Sequence, residues 1–180
     1  ADKKVVIEFT DPNPFKLLHI GHLMSNTIGE SIARVYEASG AKVIRVNYQG
    51  DVGLHVAKAI AAMMPGRVMN NNFAFPKETD SLIEKIDYLG KAYAAGSSAY
   101  ESEDEGIKKE INDINIKIYY RSDLEVNRLY DLGKKWSLEY FETIYKRLGT
   151  KFENYFFESE TAKDGLRIIN ENKNIFTESD

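Results

Sequence analysis

Two histidines three residues apart stand in the run Asp11-Pro12-Asn13-Pro14-Phe15-Lys16-Leu17-Leu18-His19-Ile20-Gly21-His22, the densest group of chemically able side chains in the sequence. On a helix, that spacing puts both imidazoles on one face. At a helix N-terminus they join free backbone N–H groups and the positive end of the dipole, a combination that suits a phosphate. Lys16 offers a mobile positive charge to the same oligophosphate, and Gly21 removes a side chain so that a flat or bulky ligand can approach the backbone. The His-x-x-His string equally fits a surface pair, a satisfied core pair or two metal ligands, although it lacks the spacing and intervening acid of a zincin helix. Placement decides, and placement depends on the surrounding elements.

Val5-Val6-Ile7-Glu8-Phe9 reads as a short buried strand, closed by the turn formers Asp11-Pro12-Asn13-Pro14. Apolar residues at Ile20, Met24, Ile28, Ile32 and Val35-Tyr36 follow helical spacing, so a helix starts near His19 and ends before Gly40. Lys42-Val43-Ile44-Arg45-Val46-Asn47-Tyr48 reads as a second strand, which makes the first third a strand–helix–strand unit with a parallel crossover. The histidines thus fall at the carboxyl end of a strand and the start of its helix, where open α/β sheets bind ligands. No G-x-G-x-x-G follows either strand and no G-x-x-x-x-G-K-[ST] occurs, which leaves the histidine group as the phosphate site.

A short helix through Ala57, Ile60, Ala61 and Met64 is stopped by Pro65-Gly66, and residues 66–78, with Asn70-Asn71-Asn72, read as irregular and mobile. Three helices are expected between Thr79 and Leu148, and the acidic group Glu101 to Glu105 reads as a helix start complemented by negative charge. Lys151-Phe152-Glu153-Asn154-Tyr155-Phe156-Phe157 is strand-like, and Glu158 begins a last short helix. The expected architecture is α/β: residues 1–65 form the first βαβ part of a nucleotide-binding domain, 66–150 a largely helical insertion, and 151–180 a return to the sheet. That is the first half of a Rossmann-like parallel sheet, with the second half expected elsewhere and an apolar sheet edge left uncovered.

The 180 residues suffice for one substantial domain, and 43% hydrophobic with 29% charged residues gives enough apolar material for a core. No stretch approaches the roughly 20 apolar residues of a membrane span, so a soluble, cytoplasmic protein is expected. The absence of cysteine excludes disulfides, thiolate catalysis and cysteine-ligated metals. Residues 1–60 carry 7 Lys/Arg against 6 Asp/Glu and residues 61–180 carry 17 against 22, so neither part is a basic patch for bulk phosphate contacts.

His19-Ile20-Gly21-His22 resembles the HIGH motif of class I aminoacyl-tRNA synthetases. The longer string from Glu8 through Asn13, Lys16 and His22 is similar to the arginyl-tRNA synthetases in particular. So are Lys42 to Tyr48 with Gly50-Asp51-Val52-Gly53, and Trp136-Ser137-Leu138-Glu139 leading to Phe152, Tyr155 and Phe157-Glu158-Ser159. The resemblance runs almost end to end and is weakest at residues 66–100. It implies ATP-dependent activation of L-arginine to arginyl-adenylate and transfer to the 3′-end of arginine tRNA, with Mg2+ accompanying ATP and no dedicated protein metal site.

The resemblance also implies roles. His19 and His22 would stabilise the α-phosphate, with Gly21 and Lys16 beside them at ATP. Glu8, Asp11, Asn13, His22 and Glu158 would hold arginine, Glu158 at the guanidinium and Asn13 with residue 11 at the backbone end, while Glu8 and Phe9 lie on the strand flooring the pocket. Read without the resemblance, Glu158 fits an ordinary helix-start carboxylate and Asn13 an ordinary turn residue. Two departures stand out: residue 11 is Asp where the family commonly has Ser, and Val52 stands where Trp is usual. A fragment of such an enzyme, expected not to aminoacylate alone, is the first reading. A small HxGH-type nucleotidylyltransferase and a non-catalytic synthetase-derived binding module are the alternatives. The lack of any cysteine argues against cysteinyl-tRNA synthetase, a near relative in fold whose zinc site needs a cysteine ligand.

Overall fold

Strand β1 (Lys4–Glu8) and strand β2 (Lys42–Gln49) are β-branched runs that pair in parallel, Val6 opposite Ile44, and strand β3 (Asn154–Phe157) adds to β2 in parallel, Tyr48 opposite Phe156. The sheet order is β1-β2-β3. Helix α1 (Ile20–Ala38) makes the first crossover. Helices α2 (Leu54–Met63), α3 (Leu82–Glu101), α4 (Glu105–Tyr120) and α5 (Leu124–Leu148) fill the second, and α6 (Glu158–Glu171) follows β3 directly. The computed structural model describes residues 3–66, 68, 73–102 and 104–177; the Asn70-Asn71-Asn72 run, read above as irregular and mobile, lies outside the described residues, as does Glu103 of the acidic group. The α/β class and the parallel sheet are as expected, and the start of α4 is capped by Asp104, whose carboxylate accepts from the Gly106 and Ile107 amides.

Two apolar clusters hold the chain together. The larger joins Val56, Ile60 and Met63 of α2 to Ile86 and Leu89 of α3, Ile111, Ile114 and Ile118 of α4, and Val126 and Leu129 of α5. Helix α2 therefore shares its buried face with the three helices that follow it. The smaller packs Phe9, Phe141, Tyr145 and Phe152 between the sheet and α5.

On β2, alternation sends Arg45 and Asn47 to one face. There Arg45 makes ion pairs with Glu30 and Glu37 of α1, and Asn47 donates to the Tyr145 hydroxyl of α5. The other face shows Val6, Tyr48 and Phe156 to solvent. The buried side of α1 is Asn26, Gly29, Glu30 and Ala33, while Ile20, Met24, Ile28, Ile32 and Val35, the residues whose spacing revealed the helix, are exposed. No described helix is long and apolar enough to cross a membrane.

Candidate functional site

The loop between β1 and α1 is held in an unfavourable backbone conformation. Thr10 (φ 84°), Asp11 (φ 50°) and Phe15 (φ 69°) all lie in the left-handed region, which costs about 1–3 kcal/mol each for such residues unless the surroundings enforce it. The tethers are visible. The Thr10 amide donates to Ser25 Oγ and its hydroxyl accepts from Asn26. The Phe15 amide donates to buried Ser137 Oγ, and the Phe15 ring fills the space above Gly133, where a Cβ would stand 2.2 Å from the ring. Phe9 packs likewise on Gly29. The loop is clamped by α1 at one end and α5 at the other.

The clamp delivers the histidines to the first turn of α1. His19 is the N-cap: its Nδ1 accepts from the Gly21 amide at 3.1 Å, and its own amide donates to His22 Nδ1 at 3.2 Å. The two rings stack with centroids 3.9 Å apart. A backbone N–H can only donate, so both Nδ1 atoms act as acceptors and the ring N–H of each points out through Nε2. Among the described residues nothing bonds either Nε2. Gly21 makes room for this arrangement, since a Cβ there would meet His19 Cε1 at 2.9 Å. Burial, His19 and Lys16 hold the His22 imidazole below its ordinary value against the opposing pull of Asp11, so the ring stays neutral near pH 7. The first turn of α1 holds no acidic residue, which leaves its dipole open to an anion. The rings also border an opening of about 340 Å³ between α1 and α5, lined by Leu23, Tyr140 and Ile144 among others.

Lys16 lies with its ammonium 5.0 Å from the centre of the Tyr93 ring of α3, close enough to bias both His22 and His55 electrostatically. Glu8 is exposed at the end of β1 and its Oε1 sits 3.5 Å from the Tyr48 amide, while Asp11 is exposed on the loop.

A second convergence lies over the end of β2. A Cβ built on Gly50 would stand 2.6 Å from Asn13 Oδ1 and 3.3 Å from Glu158 Oε2, so the two side chains meet at a point that only glycine leaves open. Glu158 is the first residue of α6, directly after β3. It has no cation and no hydrogen-bond donor among the described residues, and burial, then Asp51, push its carboxyl above the ordinary range. A cation beside a half-buried carboxylate in that condition would favour its ionised form.

Three residues were missed as neighbours of this site. His55 bonds the Gly50 carbonyl through Nε2 at 3.0 Å, and burial followed by Lys16 lowers its pKa. Ser137 anchors the loop, and Lys134 pairs with buried Asp51 at 2.6 Å. The partners of Ser137 and Lys134 lie 122 and 83 residues away, and no local pattern announces such contacts, whereas His55 bonds a carbonyl only five residues before it. Val52 is buried within the larger apolar cluster.

The sequence profile of the family described as "tRNA synthetases class I (R), catalytic domain" matches residues 1–176. The arginine--tRNA ligase of Borreliella burgdorferi is 31% identical over 168 residues, covering 93% of this chain and 27% of that protein, and that of Treponema pallidum is equally similar, with the same coverage. The chain thus spans about a quarter of the length of the curated relatives it matches. Among solved structures, the Plasmodium falciparum arginyl-tRNA synthetase superposes with a TM-score of 0.66 at 25% identity, over 95% of this chain and 27% of that one. The Thermus thermophilus arginyl-tRNA synthetase shares the fold with a TM-score of 0.67 at 20% identity, over 92% of this chain and 25% of that one. With its histidine-capped helix, its parallel sheet and a match running over nearly all its residues, this chain belongs to the class I tRNA synthetases of the arginine type, within their catalytic domain.

Proposed function

We propose that this chain forms the part of an arginine-activating site that grips the amino acid and the α-phosphate of ATP. The observation that carries the reading is the paired histidine cap, which fixes two Nε2–H donors at the N-terminus of α1. In the reaction, the arginine carboxylate attacks the α-phosphorus of ATP, the bond to the pyrophosphate oxygen breaks, and arginyl-adenylate forms. Negative charge builds on the non-bridging oxygens of that phosphorus. Donors fixed beforehand in a partly dry site stabilise it without reorganising, an effect of roughly 2.7–4 kcal/mol for one such donor. Lys16, released from Tyr93, would reach the same phosphates, and Mg2+ would accompany ATP.

Arginine would lie along the carboxyl ends of the strands. Glu158 offers a planar carboxylate to the guanidinium, Asn13 and Asp11 hold the α-ammonium end, His22 touches the backbone end, and Glu8 borders the floor. Transfer to the 2′-hydroxyl of the terminal adenosine of arginine tRNA would follow, in the cytoplasm, with contacts to tRNA mostly outside these residues. Calorimetric titration of the chain with L-arginine and with ATP, separately, tests the reading. Binding of both, with loss of arginine binding in Glu158→Gln, is expected. Binding of ATP alone favours a nucleotidylyltransferase, and binding of neither favours a non-catalytic module.

A further inference from the structure

We propose that Asp51 is a positioning residue for arginine recognition: it holds the first turn of α6, and with it Glu158, in register with Asn13. The inference rests on Glu158 being the guanidinium ligand. Asp51 has no solvent-exposed surface, so it cannot touch a substrate, yet its carboxylate is the meeting point of two distant helices, α5 and α6. Oδ2 accepts from the Tyr130 hydroxyl, the Lys134 ammonium and the Ser159 hydroxyl, each at 2.6 Å, and Oδ1 accepts from the Ser159 backbone amide at 2.8 Å.

The last of these bonds is the informative one. The N-cap of α6 is Phe157, whose side chain makes no capping hydrogen bond. A helix start without a local cap leaves amides unsatisfied, and an acidic side chain is the favoured partner at that end. Asp51, 108 residues away in sequence, supplies the cap at the second residue of the helix. The residue before it is Glu158. Lys134 completes the clamp, with its ammonium 3.7 Å from the centre of the Phe157 ring while it pairs with Asp51.

The backbone joins the two halves of the site, because Asp51 follows Gly50, the residue over which Asn13 and Glu158 converge. One short segment therefore places the Gly50 gap and caps the helix that brings Glu158 to it. Burial first, and then repulsion from Asp51, push the Glu158 carboxyl above its ordinary range.

The test compares wild type with Asp51→Asn, and with the milder Ser159→Ala, in the chain as it stands. In the ligand-free protein, amide exchange at Ser159 and the carbon-13 titration of the Glu158 carboxyl are followed. In parallel, L-arginine and ATP are titrated by calorimetry. Asp51→Asn is expected to speed exchange at Ser159, lower the Glu158 titration midpoint, weaken L-arginine at least tenfold and leave ATP within twofold. Ser159→Ala is expected to shift arginine affinity two- to threefold in the same direction. Unchanged exchange and titration in Asp51→Asn overturn the cap itself. Changed exchange with unchanged arginine affinity, or equal losses for arginine and ATP, overturn the positioning role. Changed exchange in a chain whose wild type binds no arginine overturns the inference through its premise, and identifies the Glu158 assignment as the part that failed.

Discussion

Gly50 offers the sharpest perturbation of the proposed arginine pocket. Its backbone is not in the left-handed region, so Gly50→Ala brings no dihedral strain, and the loss of unfolded-state freedom favours the variant by about 0.4–1 kcal/mol. The new methyl would meet Asn13 Oδ1 at 2.6 Å and Glu158 Oε2 at 3.3 Å. An ordinary contact needs about 3.4 Å, so the Asn13 amide must move by roughly 0.8 Å and Glu158 by far less. The backbone cannot yield easily, because the Gly50 carbonyl is bonded to His55 and the next residue is buried Asp51. The strain is relieved at the ends of two side chains, at small cost to folding. Function takes the loss, since a hydrogen bond to a charged group contributes about 1.5–3 kcal/mol and a tenfold change in affinity is about 1.4 kcal/mol. Calorimetry should show L-arginine binding weakened at least tenfold, with the melting temperature within about 4 °C of wild type. Unchanged arginine affinity in a folded Gly50→Ala protein would refute the convergence of Asn13 and Glu158 on the ligand.

Gly29→Ala tests packing against propensity. Alanine gains about 1 kcal/mol in a helix interior, but here a Cβ would stand 2.1 Å from the Phe9 ring, so a net loss of about 1–3 kcal/mol is expected in urea unfolding. Gln49→Met should be neutral or raise the melting temperature by a few degrees, because both amide atoms of fully buried Gln49 lack a hydrogen-bond partner among the described residues. Acid should destabilise the chain in two steps, followed by chemical unfolding across pH. Burial foremost depresses His22, so the unfolded chain binds its proton more tightly and stability falls as pH drops below about 6.5. Burial by itself raises Glu30 and Asp51, but Arg45 with Arg34, and Lys134 with Ser159 and Tyr130, outweigh it. Both carboxyls lie below their ordinary values of 4.5 and 3.8, and a steeper loss follows as pH falls through that range.

The strands, the helix behind the histidines and the return at residue 154 were legible because β-branched runs, turn formers and helical spacing are local signals. What covers a face is not local. The apolar stripe of α1 revealed a helix, but the side it buries is polar and small: Glu30 pairs with Arg45, and Gly29 makes room for Phe9. The position of the histidine pair at the start of α1, just after β1, was readable from the sequence, whereas the tautomers fixed by the reciprocal cap needed coordinates. Asp51 reads as a loop residue in sequence and becomes the hub that ties α5 to α6 only when Tyr130, Lys134 and Ser159 reach it.

The measurement closest to the central claim is a long-range proton–nitrogen correlation spectrum of the three histidines, recorded as ATP is added. It should show His19 and His22 protonated at Nε2 with Nδ1 bare, and their Nε2 signals should move on saturation with ATP. Rings protonated at Nδ1, or Nε2 signals indifferent to ATP, would contradict the account.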